Sequence, residues 1–262
     1  MTSETLLLIG RDARNANEVL ETHAARLERR ELVDDVAVAT YDREPDRELR
    51  DRFESIAADT VYAVPMCTAH THDTLDAVPA ALSAIPGDVR YGEPLGRSPA
   101  VTEVVADRAA AEVDAAADGS LVLVAFGSGS QPYHRQTADY HAARLRERTA
   151  YGEVRTCYLL QNPAVECVRY ATTNPRAVAV PLFLARTEAT ERRIPDELEL
   201  DRGGIAYADP YGTHPRVTDA VEAEVRKQRA LAPGDAPSTA TFDVDLPASR
   251  RRVATDGEGG RR

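Results

Sequence analysis

Only three cysteines occur in 262 residues, Cys67, Cys157 and Cys167, and no two of them form a Cys-x-x-Cys pair. So sparse and odd a set argues against a disulfide framework or a structural zinc site, and it fits a reducing cytoplasm. Long apolar runs are missing as well, since nothing approaches the roughly 18 residues that a membrane span needs. The opening MTSETLLLIGRD has neither a basic n-region nor an apolar core long enough for a signal peptide, so a cytoplasmic protein without membrane association is expected. Lysine is nearly absent, Lys227 being the only one, and no basic run ahead of the tail marks a nucleic-acid footprint. With 43 acidic against 32 basic residues the net charge is −11, and nucleic acid is not an expected partner. Neither a Walker A loop nor a G-x-G-x-x-G fingerprint occurs, which leaves no motif for ATP or NAD.

What is abundant is alanine, aspartate, glutamate and arginine. An acidic, lysine-poor chain of this kind has a halophilic composition: carboxylates stay hydrated in high salt and net charge opposes association. The charge therefore reports the solvent more than the ligand.

The chain also repeats itself. HAARLERRELVDDVAVATYDREP (23 to 45) lies on HAARLRERTAYGEVRTCYLLQNP (141 to 163), pairing His23 with His141 and Pro45 with Pro163. EPLGRSPAVTEVV (93 to 105) lies on DPYGTHPRVTDAV (209 to 221) after one small gap. In the first copy, apolar runs at 5–10, 35–41, 60–66 and 88–92 alternate with helical patterns near 16–30, 46–57, 74–84 and 98–111. Strand, helix, strand at these lengths predicts parallel sheets with right-handed crossovers. The expected fold is α/β: two tandem Rossmann-like domains, 1–112 and 120–230, with a cleft between them, and a disordered tail over 231–262. Ligands in such sheets bind beyond the carboxyl ends of the strands.

Four spaced motifs sit at those ends. They are IGRDAR (9 to 14) with AFGSGS (125 to 130), REP (43 to 45) with QNP (161 to 163), VPMCTAHTHDTLDAVP (64 to 79) with VPLFLARTEATERRIP (180 to 195), and LGRSP (95 to 99) with YGTHP (211 to 215). In this set the chain resembles the sirohydrochlorin chelatases, class II enzymes that insert cobalt, iron or nickel into a reduced tetrapyrrole without ATP. The resemblance covers roughly residues 5 to 230. It implies a chelatase-like fold, a tetrapyrrole and a divalent metal as partners, Co2+ foremost with Ni2+ or Fe2+ behind it, and no tightly bound cofactor. A monomer or a homodimer is compatible with two fused copies.

The departures are specific. The first-motif histidine of the family is Arg11 in one half and Phe126 in the other, and an arginine neither releases its proton nor ligates metal. In the second half Ala189, Arg193 and Asn162 stand where the family has histidine, aspartate and glutamate, so that half reads as a degenerate wall of the cleft. The first half keeps Glu44 and a histidine before Asp76, either His72 or His70. Counting back from Asp76 selects His72, with the loop one residue short before it.

The chemistry asks for a neutral imidazole that accepts a pyrrole proton or holds the incoming ion. His72 and His70 are the expected metal-binding and catalytic pair, sharing a face if the segment is extended, with Glu44 assisting. Arg11, Arg14 and Arg97 are the expected anchors for substrate carboxylates. Simpler readings stand beside these. Glu44 before Pro45 suits a helix N-terminus, Arg11 and Arg14 suit surface ion pairs, and His23 and His141 suit structural or exposed positions in matching helices.

Overall fold

TLLLIG has no polar residue after Thr5, so a strand there has to be covered on both faces. In the computed structural model, which describes residues 2–231, it is. The first strand, β1 (Glu4–Arg11), buries Leu6 and Leu8 towards one side and Leu7 and Ile9 towards the other. The first half continues with α1 (Ala16–Glu28), β2 (Asp35–Tyr41), α2 (Pro45–Glu54), β3 (Thr60–Pro65), a π turn at Asp73–Ala77, α3 (Val78–Leu82), β4 (Asp88–Tyr91) and α4 (Pro99–Glu112). The second half gives β5 (Gly119–Ala125), α5 (Tyr133–Arg148), β6 (Glu153–Tyr158), α6 (Val168–Ala171), β7 (Arg176–Pro181), a π turn at Ala189–Arg193, α7 (Ile194–Glu197), β8 (Ile205–Tyr207) and α8 (Pro215–Leu231).

Each half is a four-stranded parallel sheet, in the orders β2-β1-β3-β4 and β6-β5-β7-β8. The expected α/β class and parallel pairing are what the chain adopts. The expected tail lies, from residue 232 on, outside the described residues. No helix among the described residues is long and apolar enough to cross a membrane.

The inner faces of both sheets meet one shared core, in which Leu6, Leu8, Leu121 and Leu123 are fully buried together with Val101, Val104 and Val217. The last helix of each half packs on the other half's sheet, α4 against β7 and α8 against β3. Residues on two sequence-distant copies thus desolvate one another, and burial of this apolar layer is what joins the lobes.

Two histidines fasten that layer reciprocally. His23 on α1 places Nδ1 2.9 Å from Thr218 Oγ1 and Nε2 3.1 Å from the Gly212 carbonyl. His141 on α5 places Nδ1 2.8 Å from Thr102 Oγ1 and Nε2 2.6 Å from the Gly96 carbonyl. A carbonyl can only accept, so Nε2–H donates to it in each case and Nδ1 accepts from the threonine. Both rings are buried, and burial pushes each pKa down to about 4. Both therefore serve as neutral structural groups. Gly96 allows the close approach, since a Cβ there would lie 2.3 Å from the Thr68 backbone.

Candidate functional site

A cavity of about 810 Å³ opens at the carboxyl ends of the strands, between the lobes. The first lobe contributes the loop after β1, Arg11 to Arg14, and Met66 to Thr68 after β3. The second contributes Phe126 after β5, Phe183 to Ala185 after β7, and the π turn and α7 through Arg192, Arg193, Asp196 and Glu197. A first-strand loop on one side thus faces a third-strand loop on the other.

The charges around this cleft are nearly balanced. Arg14 pairs with Glu191 across the lobes, while Arg193 donates to Glu197 at 2.7 Å and to the Leu159 carbonyl at 2.9 Å. Arg11 spends only Nε, on the Asp42 carbonyl at 3.1 Å. Arg192 makes no hydrogen bond or ion pair to another described residue. Asp12, Glu188 and Asp196 also line the space, so polar groups of both signs meet there. Phe126 is 39% exposed and meets Phe183 edge to face, ring centroids 6.3 Å apart, which leaves aromatic surface open to the cleft.

The sequence-selected residues divide. Arg11 and Arg14 line the cleft. Arg97 does not: it pairs with Glu93 at 3.1 Å and lines a separate groove with Glu224 and Lys227. Glu44 is exposed just ahead of α2, its carboxylate 3.5 Å from Arg47, and it lines none of the cavities. The carboxylate with structural work there is Glu48, which accepts the backbone N–H groups of Asp42, Arg43 and Glu44 at 2.7, 3.0 and 2.8 Å. Those bonds hold its pKa down to about 2.

Neither His70 nor His72 lines the cleft, and each has its own partners. His70 has a side chain only 13% exposed, with Nε2 3.5 Å from Glu93, Nδ1 3.3 Å from Thr74 Oγ1, and its ring against Tyr133 of the second lobe at 5.6 Å. His72 is 80% exposed, with Nε2 3.5 Å from Asp76. The shared face required extended backbone, but His72 is already helical at φ −54°, ψ −44° and leads into the π turn. Among the described residues no group of three His, Cys, Asp or Glu side chains comes together as a metal cage.

The two third-strand loops also correct the count. Thr71 N–H donates to Thr74 Oγ1 at 2.9 Å, and Thr187 N–H to Thr190 Oγ1 at 2.9 Å. The Tyr91 hydroxyl donates to the Thr74 carbonyl at 3.0 Å and the Tyr207 hydroxyl to the Thr190 carbonyl at 2.8 Å. Both π turns therefore start in the same register, and no residue is missing from either loop. Asp73, not His72, is the structural counterpart of Ala189. Asp73 lines a small cavity of about 150 Å³ with Tyr41, Cys67 and Arg11, the last two shared with the cleft. Burial pushes the Cys67 thiol up to about 12, so it is no thiolate at neutral pH.

The whole arrangement, two pseudo-equivalent parallel sheets with a cleft over their carboxyl ends, has known relatives. The CbiX family matches residues 5–112 and again residues 120–228. The chain belongs to the CbiX family. A probable sirohydrochlorin cobaltochelatase of Halobacterium salinarum is 23% identical, over 83% of this chain and 89% of that protein. Among solved structures, SirB from Bacillus subtilis with Fe3+ aligns with a TM-score of 0.70 at 20% identity, over 89% of this chain and 98% of that one. A multi-domain protein of Deinococcus radiodurans with structural similarity to chelatases gives a TM-score of 0.72 at 23% identity. The match covers 87% of this chain but spans only 56% of that protein, which has two additional domains.

Within this CbiX chain, sequence reasoning missed the second lobe's share of the cleft: Phe183, Glu188, Arg192, Asp196 and Glu197. The signal was present in the counterpart loop LFLARTEATER, whose arginines invite a ligand-facing role once the repeat is folded onto itself. His134 was also passed over. It stands behind Phe126, ring centroids 6.1 Å apart, with Nδ1 buried and unpartnered.

Proposed function

We propose that this CbiX chain inserts a divalent metal, Co2+ foremost, into sirohydrochlorin or a closely related tetrapyrrole, without ATP. The observation that carries the reading is the interlobe cleft. Its size suits a flat macrocycle, its lining joins open aromatic surface to guanidinium groups, and it lies at the strand ends where such folds bind ligands. Metal entry releases the pyrrole protons, so acceptors must stand at the macrocycle. Asp12, Glu188 and Asp196 are the cleft-lining carboxylates with no ion pair among the described residues, which suits them to that task and to meeting the incoming cation. His70 and His72 belong to this proposal only if the third-strand loop of the first lobe turns inward when pigment binds, and Glu44 only if the loop after β2 does.

The test is anaerobic Co2+ insertion into sirohydrochlorin, followed by absorbance, for the wild type, His70→Ala, His72→Ala and Asp12→Asn. Turnover lost in Asp12→Asn and kept in both histidine variants would place proton acceptance in the cleft. The reverse pattern would return it to the histidine loop. A second reading, a tetrapyrrole- or metal-binding paralogue that carries or senses pigment, is favoured by the lack of any histidine among the cleft-lining residues. It predicts tight pigment binding with no insertion.

A further inference from the structure

Arg11 and Phe126 occupy equivalent places at the ends of β1 and β5, where Tyr41 and Leu159 lie beside them on the neighbouring strands. Both line the same cleft, so one copy of the repeat offers it a cation and the other an aromatic ring. The π turns diverge in the same complementary way: Arg192 in the second lobe stands where the first has Asp76, and only the second lobe's turn reaches the cleft. Of the four arginines there, Arg14 and Arg193 are already occupied by Glu191 and Glu197. Among the described residues, none pairs with the terminal nitrogens of Arg11 or with any part of the Arg192 guanidinium.

We propose that Arg11 and Arg192, one from each lobe, are the specificity-determining anchors for two carboxylates of a flat polyanionic ligand whose face rests on Phe126. The second lobe is then a recognition half. This rests on the tetrapyrrole reading above and names the residues by which that ligand is held. A guanidinium fork matches a carboxylate bidentately, and charge-assisted pairs of this kind are the strong ones. The neighbouring Asp12, Glu188 and Asp196 repel a carboxylate set down elsewhere, so the pair fixes orientation instead of merely attracting charge. In a chain of net charge −11, general attraction for a polyanion is not available. Phe126 explains itself in the same way, because an exposed ring at the mouth of a cleft gains area only when a planar partner covers it.

The experiment is a fluorescence titration of the full-length protein with metal-free sirohydrochlorin, and with its neutral methyl ester, at constant high salt. Variants are Arg11→Gln, Arg192→Gln and Phe126→Ala, with Arg97→Gln as the control outside the cleft. Each cleft arginine variant is expected to weaken the free acid about tenfold, the loss of one charge-assisted pair. The ester should be insensitive to both, while Phe126→Ala weakens acid and ester alike. Wild-type affinity in both arginine variants, with unchanged circular dichroism, would overturn the anchors and leave the tetrapyrrole reading standing. Failure of the wild type to bind either sirohydrochlorin or a second planar polycarboxylate porphyrin would overturn both.

Discussion

The two lobes are the same fold asked to do different things. Both build the same strand order and open their π turns with the same threonine bonds, yet the first lines the cleft with arginine and aspartate at the end of β1, and the second with phenylalanine, arginine and a helix start. What both copies keep is the part that joins them. His23 and His141, Thr218 and Thr102, Gly212 and Gly96 form the same contact twice, each in the opposite sense. The lobes differ where they line the cleft, and they keep the same contact where they pack together.

The largest expected effect breaks that shared contact. Truncating His141→Ala leaves the Gly96 carbonyl and the Thr102 hydroxyl without their partner and opens a cavity in a fully buried layer. About 3 kcal/mol of stability should be lost. His23→Ala should cost the same within about 1 kcal/mol, because its environment is a near copy. Urea unfolding at one fixed salt concentration measures both. A cost at one site and none at the other would show that the symmetry is only geometric.

Next in size is the response to acid. Both imidazoles are neutral when folded, with pKa values lowered to about 4, against an ordinary 6.5 in the unfolded chain. Desolvation is the main cause in each, with Arg26 beside His23 and Arg144 beside His141 adding a smaller push in the same direction. Below 6.5 the unfolded chain takes up protons that the folded one refuses. Stability is therefore complete above that pH and drains away as pH falls towards 4, by about 2 kcal/mol per histidine near pH 5. Glu48, held down to about 2 by backbone bonds, loses its contribution only below the ordinary glutamate range, so the two windows separate. Melting temperature against pH, in the wild type and in His23→Gln with His141→Gln, should show the slope between pH 6.5 and 5 flatten in the double variant.

The strands were legible in the sequence to within about a residue, since TLLLIG, DVAVATY and TVYAVP read as short apolar runs and the repeat doubled every signal, whereas the helix expected over 46–57 ends at Glu54 and that over 74–84 begins as a π turn. The site was legible only in part. Arg11 and Arg14 were found because a first-strand loop must lie at the sheet's carboxyl end. His70 and His72 stand outside the cleft because side-chain direction depends on where the π turn begins, and Arg192's place in its lining is visible only once each copy is set against the other. His214, in YGTHP, reads from sequence as fixing a loop more than doing chemistry, and its Nδ1 accepts the Arg216 N–H at 3.3 Å, as Ser98 Oγ does from Ala100 at 3.3 Å. It is a helix cap in imidazole form.

A smaller effect sharpens the contrast between free and occupied arginines. Arg14 already has Glu191 across the lobes and is largely exposed, so Arg14→Gln should cost under about 1 kcal/mol of stability. Its loss should weaken pigment by about threefold at most, since the guanidinium it would offer the ligand must first give up Glu191. Equal losses for Arg14→Gln and Arg192→Gln in the same titration would mean that the cross-lobe pair opens on binding.

The smallest effects belong to Glu44 and Arg97. Both occupy motif positions, and both are exposed with a single neighbour of opposite charge, Arg47 at 3.5 Å and Glu93 at 3.1 Å. Pairs of that kind contribute about 0.5 kcal/mol or less, and high salt screens them further. Glu44→Gln and Arg97→Gln should therefore leave unfolding midpoints, pigment affinity and Co2+ insertion within about twofold of the wild type. A large loss of insertion in Glu44→Gln with binding intact would be the informative surprise. It would require the loop after β2 to reach the cleft in the bound state, and would restore to the first lobe a catalytic carboxylate that its free geometry points to solvent.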